Sequence, residues 1–162
     1  MKKKVRVPPM LAAVIQNALI GADGHEFTHL PACPHCGGPL SGYDSKSRKF
    51  VTLIENDTGR DVVVRVKRFR CSVCGRVSSA HAPFYPDTRI GSPVVDLCIV
   101  LAEEMPLHRV AVVMGQLGIQ IDRGSVRNYA MMDIGHIPTT NIFGIRIPDS
   151  VMSLSILASR RV

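Results

Sequence analysis

The chain has 162 residues, enough for one ordinary domain or two small ones. Hydrophobic residues make up 46% and aromatic residues only 5%, with no tryptophan, so we expect a mainly aliphatic core. The net charge of +7 suits a polyanionic partner such as nucleic acid, although it also serves general solubility. No apolar run is long enough to span a membrane, and Pro8 and Pro9 interrupt the one stretch that resembles a secretory signal.

Residues 1–29 are predicted to form a basic N-terminal arm and a short helix. Three lysines follow Met1, and apolar residues then recur at helical spacing over residues 9–20. Gly21 and the Asp23-Gly24 pair are typical of a helix end, so the helix is expected to end there.

The most informative pattern is a pair of Cys-x-x-Cys motifs separated by residues 37–70. Their four cysteines are Cys33, Cys36, Cys71 and Cys74. Two such motifs can direct four thiolates at one point and form the tetrahedral site that Zn²⁺ prefers. The site would be structural because protein ligands fill all four positions. Two redox dithiols or two disulfides are the alternatives, and His35 or His81 is a less favoured ligand.

Residues 30–80 are predicted to form a Cys₄ zinc ribbon, with a β-hairpin between the two cysteine motifs. The pattern indicates strands over residues 48–54 and 61–70, joined by a turn over residues 55–59. The first strand is expected to place Phe50, Thr52 and Ile54 on one face. The second is expected to place Val62, Val64 and Val66 inward. Such a hairpin is marginal alone, so we expect metal binding to decide whether it folds.

The positive charge of the chain is concentrated in this hairpin. Residues 46–76 contain nine basic and three acidic side chains, which favours contact with nucleic acid phosphates. The predicted phosphate contacts are Arg65, Lys67, Arg68 and Arg70. Residues 81–91 contain Pro83 and Pro86 and are predicted to be a linker.

Residues 92–132 are predicted to form three helices arranged as a helix-turn-helix domain. Ser92 is the expected cap of the first helix, and Pro106 opens the second. Gly118 supplies the turn, and Asp122 is expected to cap the third helix. Residues 133–162 are predicted to form one strand over residues 142–147 and a helix capped by Asp149 or Ser150, of unknown role.

The third helix carries side chains suited to reading DNA. Val126 is expected to face inward, which leaves the polar residues nearer the exposed side. The predicted DNA contacts are Arg123, Ser125, Arg127 and Asn128. Arg pairs well with guanine and Asn with adenine in the major groove. An ordinary three-helix bundle with a solvated polar face is the alternative.

Two stretches resemble the N-terminal region of certain prokaryotic DDE-type transposases. Residues 68–76, Arg-Phe-Arg-Cys-Ser-Val-Cys-Gly-Arg, resemble the second cysteine motif of their zinc ribbons. Residues 109–111 through 118–119, followed by residues 122–129, resemble their DNA-binding helix pair. The resemblance implies a Cys₄ ribbon, a helix-turn-helix and then a nuclease. Only Asp133 and Asp149 supply carboxylates after Met132, so we expect the catalytic domain to be missing.

The sequence therefore predicts an α+β protein: a small Cys₄ zinc-ribbon hairpin followed by a three-helix DNA-binding domain. The expected function is zinc-stabilised binding of double-stranded DNA without strand cleavage, in the cytoplasm and at the nucleoid. Possible protein partners are a second copy of the chain or a transposase catalytic subunit, with no membrane or small-molecule substrate. The alternatives are an RNA- or ribosome-associated zinc ribbon and a protein-interaction adaptor.

Overall fold

The computed structural model of the protein describes residues 6–159, so the predicted basic arm lies outside the described residues. The fold is mixed α+β with two sheets. The predicted first helix is confirmed as α1 (Pro9–Ile20), which begins after Pro8 and ends at Gly21. Leu11 and Ile15 are fully buried on its inner side.

A long antiparallel hairpin joins the two cysteine motifs. Its strands, β2 (Leu40–Glu55) and β3 (Thr58–Cys71), extend well beyond the predicted ranges. They turn at Asn56 and Asp57, whose positive φ angles of 49° and 62° suit a two-residue hairpin turn. Two short strands, β1 (Glu26–Phe27) and β4 (Val77–Ser79), pair with the other edge of β3.

A β-bulge at Phe50 changes which residues of β2 face the core. The pairing register shifts between Lys49 and Val51, so Phe50 is an extra residue in its strand. The buried side chains at this end of β2 are those of Phe50, Val51 and Leu53. Thr52 lies on the opposite face and Ile54 is 41% exposed. The prediction that Phe50, Thr52 and Ile54 share one face is therefore wrong, whereas the inward-facing valines of β3 are confirmed.

The three helices predicted within residues 92–132 are present. They are α2 (Ser92–Glu104), α3 (Leu107–Gln116) and α4 (Arg123–Ala130). Gly91, not Ser92, occupies the cap position of α2, and Ser92 is its first helical residue. Residue 91 must be glycine because a side chain there would overlap the ring of Phe50. Gly118 has the predicted turn conformation, with φ of 80°. The assignment of these helices as a helix-turn-helix remains a prediction.

The C-terminal part differs from its prediction. It contains β5 (Thr139–Ile142), β6 (Ile145–Pro148), α5 (Asp149–Met152) and α6 (Ser155–Ser159). The single predicted strand is instead a hairpin, because Phe143 and Gly144 turn the chain with positive φ angles of 53° and 82°. The predicted helix is broken in two after Met152, and Pro148 occupies the cap position assigned to Asp149 or Ser150.

The buried side chains form one hydrophobic cluster that includes the hairpin, the helices and the C-terminal part. Phe84 and Ile90 of the predicted linker pack against it. Buried Asp96 of α2 accepts hydrogen bonds from the hydroxyls of Tyr85 and Ser150, and so ties three segments together. The predicted domain boundaries remain predictions. None of the helices within residues 6–159 has the length and apolar character needed to cross a membrane.

Candidate metal centre and nucleic-acid interface

The four predicted metal ligands come together at one end of the hairpin. Their Sγ atoms all lie within 4.8 Å of one another, and that group consists of Cys33, Cys36, Cys71 and Cys74. The Sγ atoms of Cys33 and Cys74 are 3.7 Å apart, and those of Cys36 and Cys71 are 3.4 Å apart. A tetrahedron of 2.3 Å Zn–S bonds separates its sulfurs by about 3.8 Å. The four thiols are therefore placed so that they could bind one metal ion.

The backbone of the two motifs explains this convergence. The amides of Gly37 and Gly75 donate to the carbonyls of Cys33 and Cys71, at 2.8 and 3.1 Å. Both glycines have φ of 74°, which side chains disfavour, so each tight turn needs its glycine. Gly38 has a different constraint, since a Cβ there would lie 3.0 Å from the Sγ of Cys71. Each glycine thus lets the chain close around the sulfurs.

The surroundings of the thiols favour charge on the buried cysteines. The backbone amides of Cys74 and Val73 donate to the Sγ of Cys71, at 3.4 and 3.3 Å, and lower its pKa to about 6. Burial opposes ionisation of Cys33, but backbone amides outweigh it and its pKa is also lowered. The amide of Gly38 favours the Cys36 thiolate, yet donation of the thiol proton toward Cys71 and desolvation raise its pKa to about 11. Backbone dipoles thus prepare part of the site for a cation.

The two histidines weighed as alternative ligands lie outside the thiol group. The Nδ1 atom of His35 is 3.2 Å from the guanidinium of Arg76. The ring of His81 is tilted against that of His29, with centroids 5.9 Å apart. The donor set is therefore four sulfurs, which suits a soft or borderline metal ion.

Helix α4 begins with the predicted cap. The carboxylate of Asp122 accepts hydrogen bonds from the amide and hydroxyl of Ser125, at 2.7 and 2.9 Å, and the amide bond is the main cause of the lowered Asp122 pKa. Ser125 is half-buried beside this cap. Val126 is buried as predicted. The exposed side of α4 consists of Arg123, Gly124, Arg127 and Asn128.

The segment before α4 is hydrogen-bonded to the hairpin. The amide of Ile54 donates to the carbonyl of Gly118, and the amide of Gln120 donates to that of Thr52, both at 2.8 Å. Ile119 thereby forms an antiparallel bridge with the edge of β2. Sequence reasoning missed this link, for which the alternation of apolar and polar residues over 119–121 was the only signal. The link attaches α4 to the hairpin.

The four predicted phosphate contacts of β3 do not form one patch. Because side chains alternate along a strand, Arg65 and Lys67 lie on the face opposite Arg68 and Arg70. Arg65 and Arg70 are exposed, and Lys67 is half-buried. Arg68 forms a bidentate ion pair with Asp44, which raises the pKa of the arginine and lowers that of the carboxyl. Arg68 is thus already neutralised by a neighbour.

Other basic side chains of the hairpin are also engaged within the protein. Arg48 donates to the carbonyl of Thr88 at 3.2 Å, and Arg60 forms ion pairs with Asp23 and Glu55. Within residues 6–159, basic side chains of this hairpin that form no ion pair include Lys49, Arg65, Lys67 and Arg70. These are the cations left for an external anion.

Comparisons with known proteins give one match. Residues 33–93 match the model of a domain of unknown function, DUF6431. The match spans both cysteine motifs, the hairpin and the segment leading to α2. No curated protein matches the chain. No solved structure matches it either. The resemblance to transposases gains no support here; residues 33–93 are similar to the DUF6431 family, and this stretch contains four cysteines that could bind a metal ion.

Proposed function

We propose that the protein binds double-stranded DNA, with α3 and α4 acting as a helix-turn-helix and α4 entering the major groove. The four thiols would hold a structural Zn²⁺ ion, because a closed tetrahedral sulfur site suits zinc and leaves no position for a reacting water. The metal would stiffen the hairpin, and the chain would have no strand-cleavage activity of its own.

The observation that carries the proposal is the exposed side of α4. Arg123 and Arg127 are four residues apart and therefore lie on one face of the helix, with Asn128 beside them. No acidic residue occurs within α4, and the carboxylate that precedes it is used as the cap. Arginine and asparagine are the side chains that read guanine and adenine by paired hydrogen bonds.

The packing of α4 supports a recognition role. Val126 anchors the helix against its neighbours, and α4 contacts both α2 and α3. The turn at Gly118 is bonded to β2, so α4 is held by the helices and by the hairpin. A helix that reads base edges must be positioned rigidly, and this arrangement provides two supports. Ser125 is omitted from the proposed base contacts because its hydroxyl belongs to the cap.

The hairpin would contribute phosphate contacts through Arg65 and Lys67, which lie on one face of β3. Arg68 is omitted because Asp44 already neutralises it, and Arg70 because it lies on the opposite face. If these two cations each neutralise a phosphate, they contribute about −1.8 to the slope of the logarithm of the binding constant against the logarithm of salt concentration. A protein-interaction adaptor would show no such dependence.

The test begins with selection of bound duplexes from a random DNA pool, because the target site is unknown. Affinities for a selected and a scrambled duplex are then measured by fluorescence anisotropy for the native chain and for Arg127→Ala. Arg60→Ala is the control, since it removes an equal charge from a side chain that is already paired with Asp23 and Glu55. Arg127→Ala should lose affinity for the selected duplex and most of its preference over the scrambled one.

The outcomes separate the candidate functions. Equal loss in Arg127→Ala and Arg60→Ala would refute α4 as the reading element. Tighter binding to a structured RNA than to any duplex would favour the RNA-associated function. Selected sites that contain two inverted half-sites would indicate that two copies of the chain bind together.

A further inference from the structure

A cleft of about 520 Å³ lies between the edge of β2 and α4. The segment that joins α3 to α4 and the loop before α2 close its other sides. This volume is within the range of about 300–1,000 Å³ typical of sites for small molecules. The cleft is far along the hairpin from the thiol group, since Val51 and Thr52 of its lining pair with the opposite end of β3 from Cys71.

The floor of the cleft is apolar. Val51, Val94 and Ile119 lie beneath it and are at most 1% exposed, so the apolar surface open to a ligand belongs to half-buried Ile90 and Ile121. The bulge at Phe50 is what places Val51 on the buried side while its near neighbour Lys49 stays exposed. The half-buried ring of Tyr129 adds a flat aromatic surface from α4. A flat apolar group could therefore lie on this floor and lose contact with water.

The lining of the cleft includes two cations that have no ion-pair partner among residues 6–159. Lys49 and Arg89 are exposed and line the cleft, and neither forms an ion pair with any of residues 6–159. The one acidic side chain of the lining, Asp122, already accepts two hydrogen bonds from Ser125. Two unpaired cations above an apolar floor attract an anion that also has an apolar body.

We propose that this cleft binds a small organic anion with a flat apolar body, such as an aromatic carboxylate, sulfonate or nucleotide. The anionic group would contact Lys49 and Arg89, and the flat body would lie on Ile90, Ile121 and the ring of Tyr129. The hydroxyl of Tyr129, which donates to none of residues 6–159, is available to a polar substituent. The proposal does not depend on DNA binding, because none of these side chains belongs to the exposed side of α4.

The first test uses 8-anilinonaphthalene-1-sulfonate, a fluorescent aromatic sulfonate, titrated into the metal-loaded protein. The variant with Lys49→Ala and Arg89→Ala should bind it at least tenfold more weakly. The matched control carries Lys46→Ala and Arg70→Ala, which remove the same charge from exposed positions outside the cleft. Both variants change exposed side chains, so unchanged melting curves are expected and confirm that each is folded.

The second test locates the bound probe and measures separately what its aromatic rings and its sulfonate contribute to binding. Methyl NMR signals of Ile90 and Ile121 should shift on titration. A neutral analogue, N-phenyl-1-naphthylamine, should bind more weakly than the sulfonate, and inorganic sulfate should compete poorly. Equal losses in the two double variants, unmoved methyl signals, or sulfate competing as well as the aromatic probe would each overturn the proposal. Competition by 1-naphthoate and by a deoxynucleoside monophosphate shows whether the cleft binds an aromatic carboxylate or a nucleotide more tightly.

Discussion

The two ends of the β2–β3 hairpin are held by different interactions. At the thiol end, residues 41–49 of β2 are almost all exposed, and Tyr43 and Val73 are 53% and 70% exposed. At the turn end, Phe50 and Val62 are fully buried in the core shared with the helices. One end has little apolar burial and depends on four sulfurs, whereas the other depends on packing. A metal ion bound by these sulfurs would therefore stabilise a different part of the hairpin from the one that the core stabilises.

This difference refines the expectation that metal decides whether the whole hairpin folds. Burial of apolar side chains stabilises the turn end whether or not a metal is bound. Metal binding contributes roughly 10–16 kcal/mol in small zinc modules, and here most of that should act on the thiol end.

The largest expected effect follows removal of the metal. Cys71→Ser, or chelation, should abolish metal binding and make amides of residues 33–38 and 71–76 exchange rapidly, since little else holds them. Amides around Leu97 and Leu101 in buried α2 should stay protected. Hydrogen exchange followed by mass spectrometry measures both regions, with Val73→Ala as the metal-binding control. Global unfolding would show that the two ends are not independent.

The second-largest expected effect is on the turn end of the hairpin. Phe50→Ala removes a fully buried ring that packs against Gly91 and Phe84, so it should lower the free energy of unfolding by about 3–5 kcal/mol. Tyr43→Ala, on the exposed thiol end of the same strand, should cost less than about 1 kcal/mol. Urea unfolding measures both. Bound metal per folded chain should be the same in the two variants, and a loss of metal in Phe50→Ala would contradict the separation.

The comparison extends to DNA, where α4 would read bases and the hairpin would contact phosphates. Arg127→Ala should cost about 1–3 kcal/mol on the selected duplex and less on a scrambled one. Lys67→Ala should weaken binding to both duplexes alike and reduce the salt slope by about 0.9. Anisotropy titrations at several salt concentrations measure these values. If both variants lost the same affinity for each duplex and changed the salt slope equally, the separate roles assigned to α4 and the hairpin would be wrong.

The smallest expected effect concerns the cap of α4. Asp122→Ala removes the acceptor of the Ser125 amide and should lower Tm by a few degrees at neutral pH. Because hydrogen bonding lowers the pKa of Asp122 in the folded state, its contribution is complete above its ordinary value and is lost as pH falls through the lowered one. Melting curves of the two proteins should therefore differ down to the ordinary aspartate pKa and converge only as pH falls further, through the lowered pKa of Asp122. A pH-independent difference would contradict this role.

Local signals predicted much of the fold. The positions of proline predicted where α1 and α3 begin, and Gly118 predicted the turn after α3. The spacing of the cysteines predicted the thiol group. These features depend on neighbouring residues, so the sequence displays them directly.

Long-range contacts account for what the sequence did not predict. The bulge at Phe50 depends on residues of β3 and on Gly91, and the bridge from Ile119 joins segments more than sixty residues apart. Pairing of Arg68 with Asp44 depends on the hairpin register, which the bulges set. The cleft beside α4 arises from these contacts and has no sequence motif.

Zinc K-edge X-ray absorption of the protein, purified under reducing conditions, tests the central claim most directly. Four sulfur neighbours at about 2.3 Å, with one zinc ion per chain, are the expected result. Nitrogen or oxygen ligands in the first shell, or a folded chain whose cysteines bind no metal, would contradict the account.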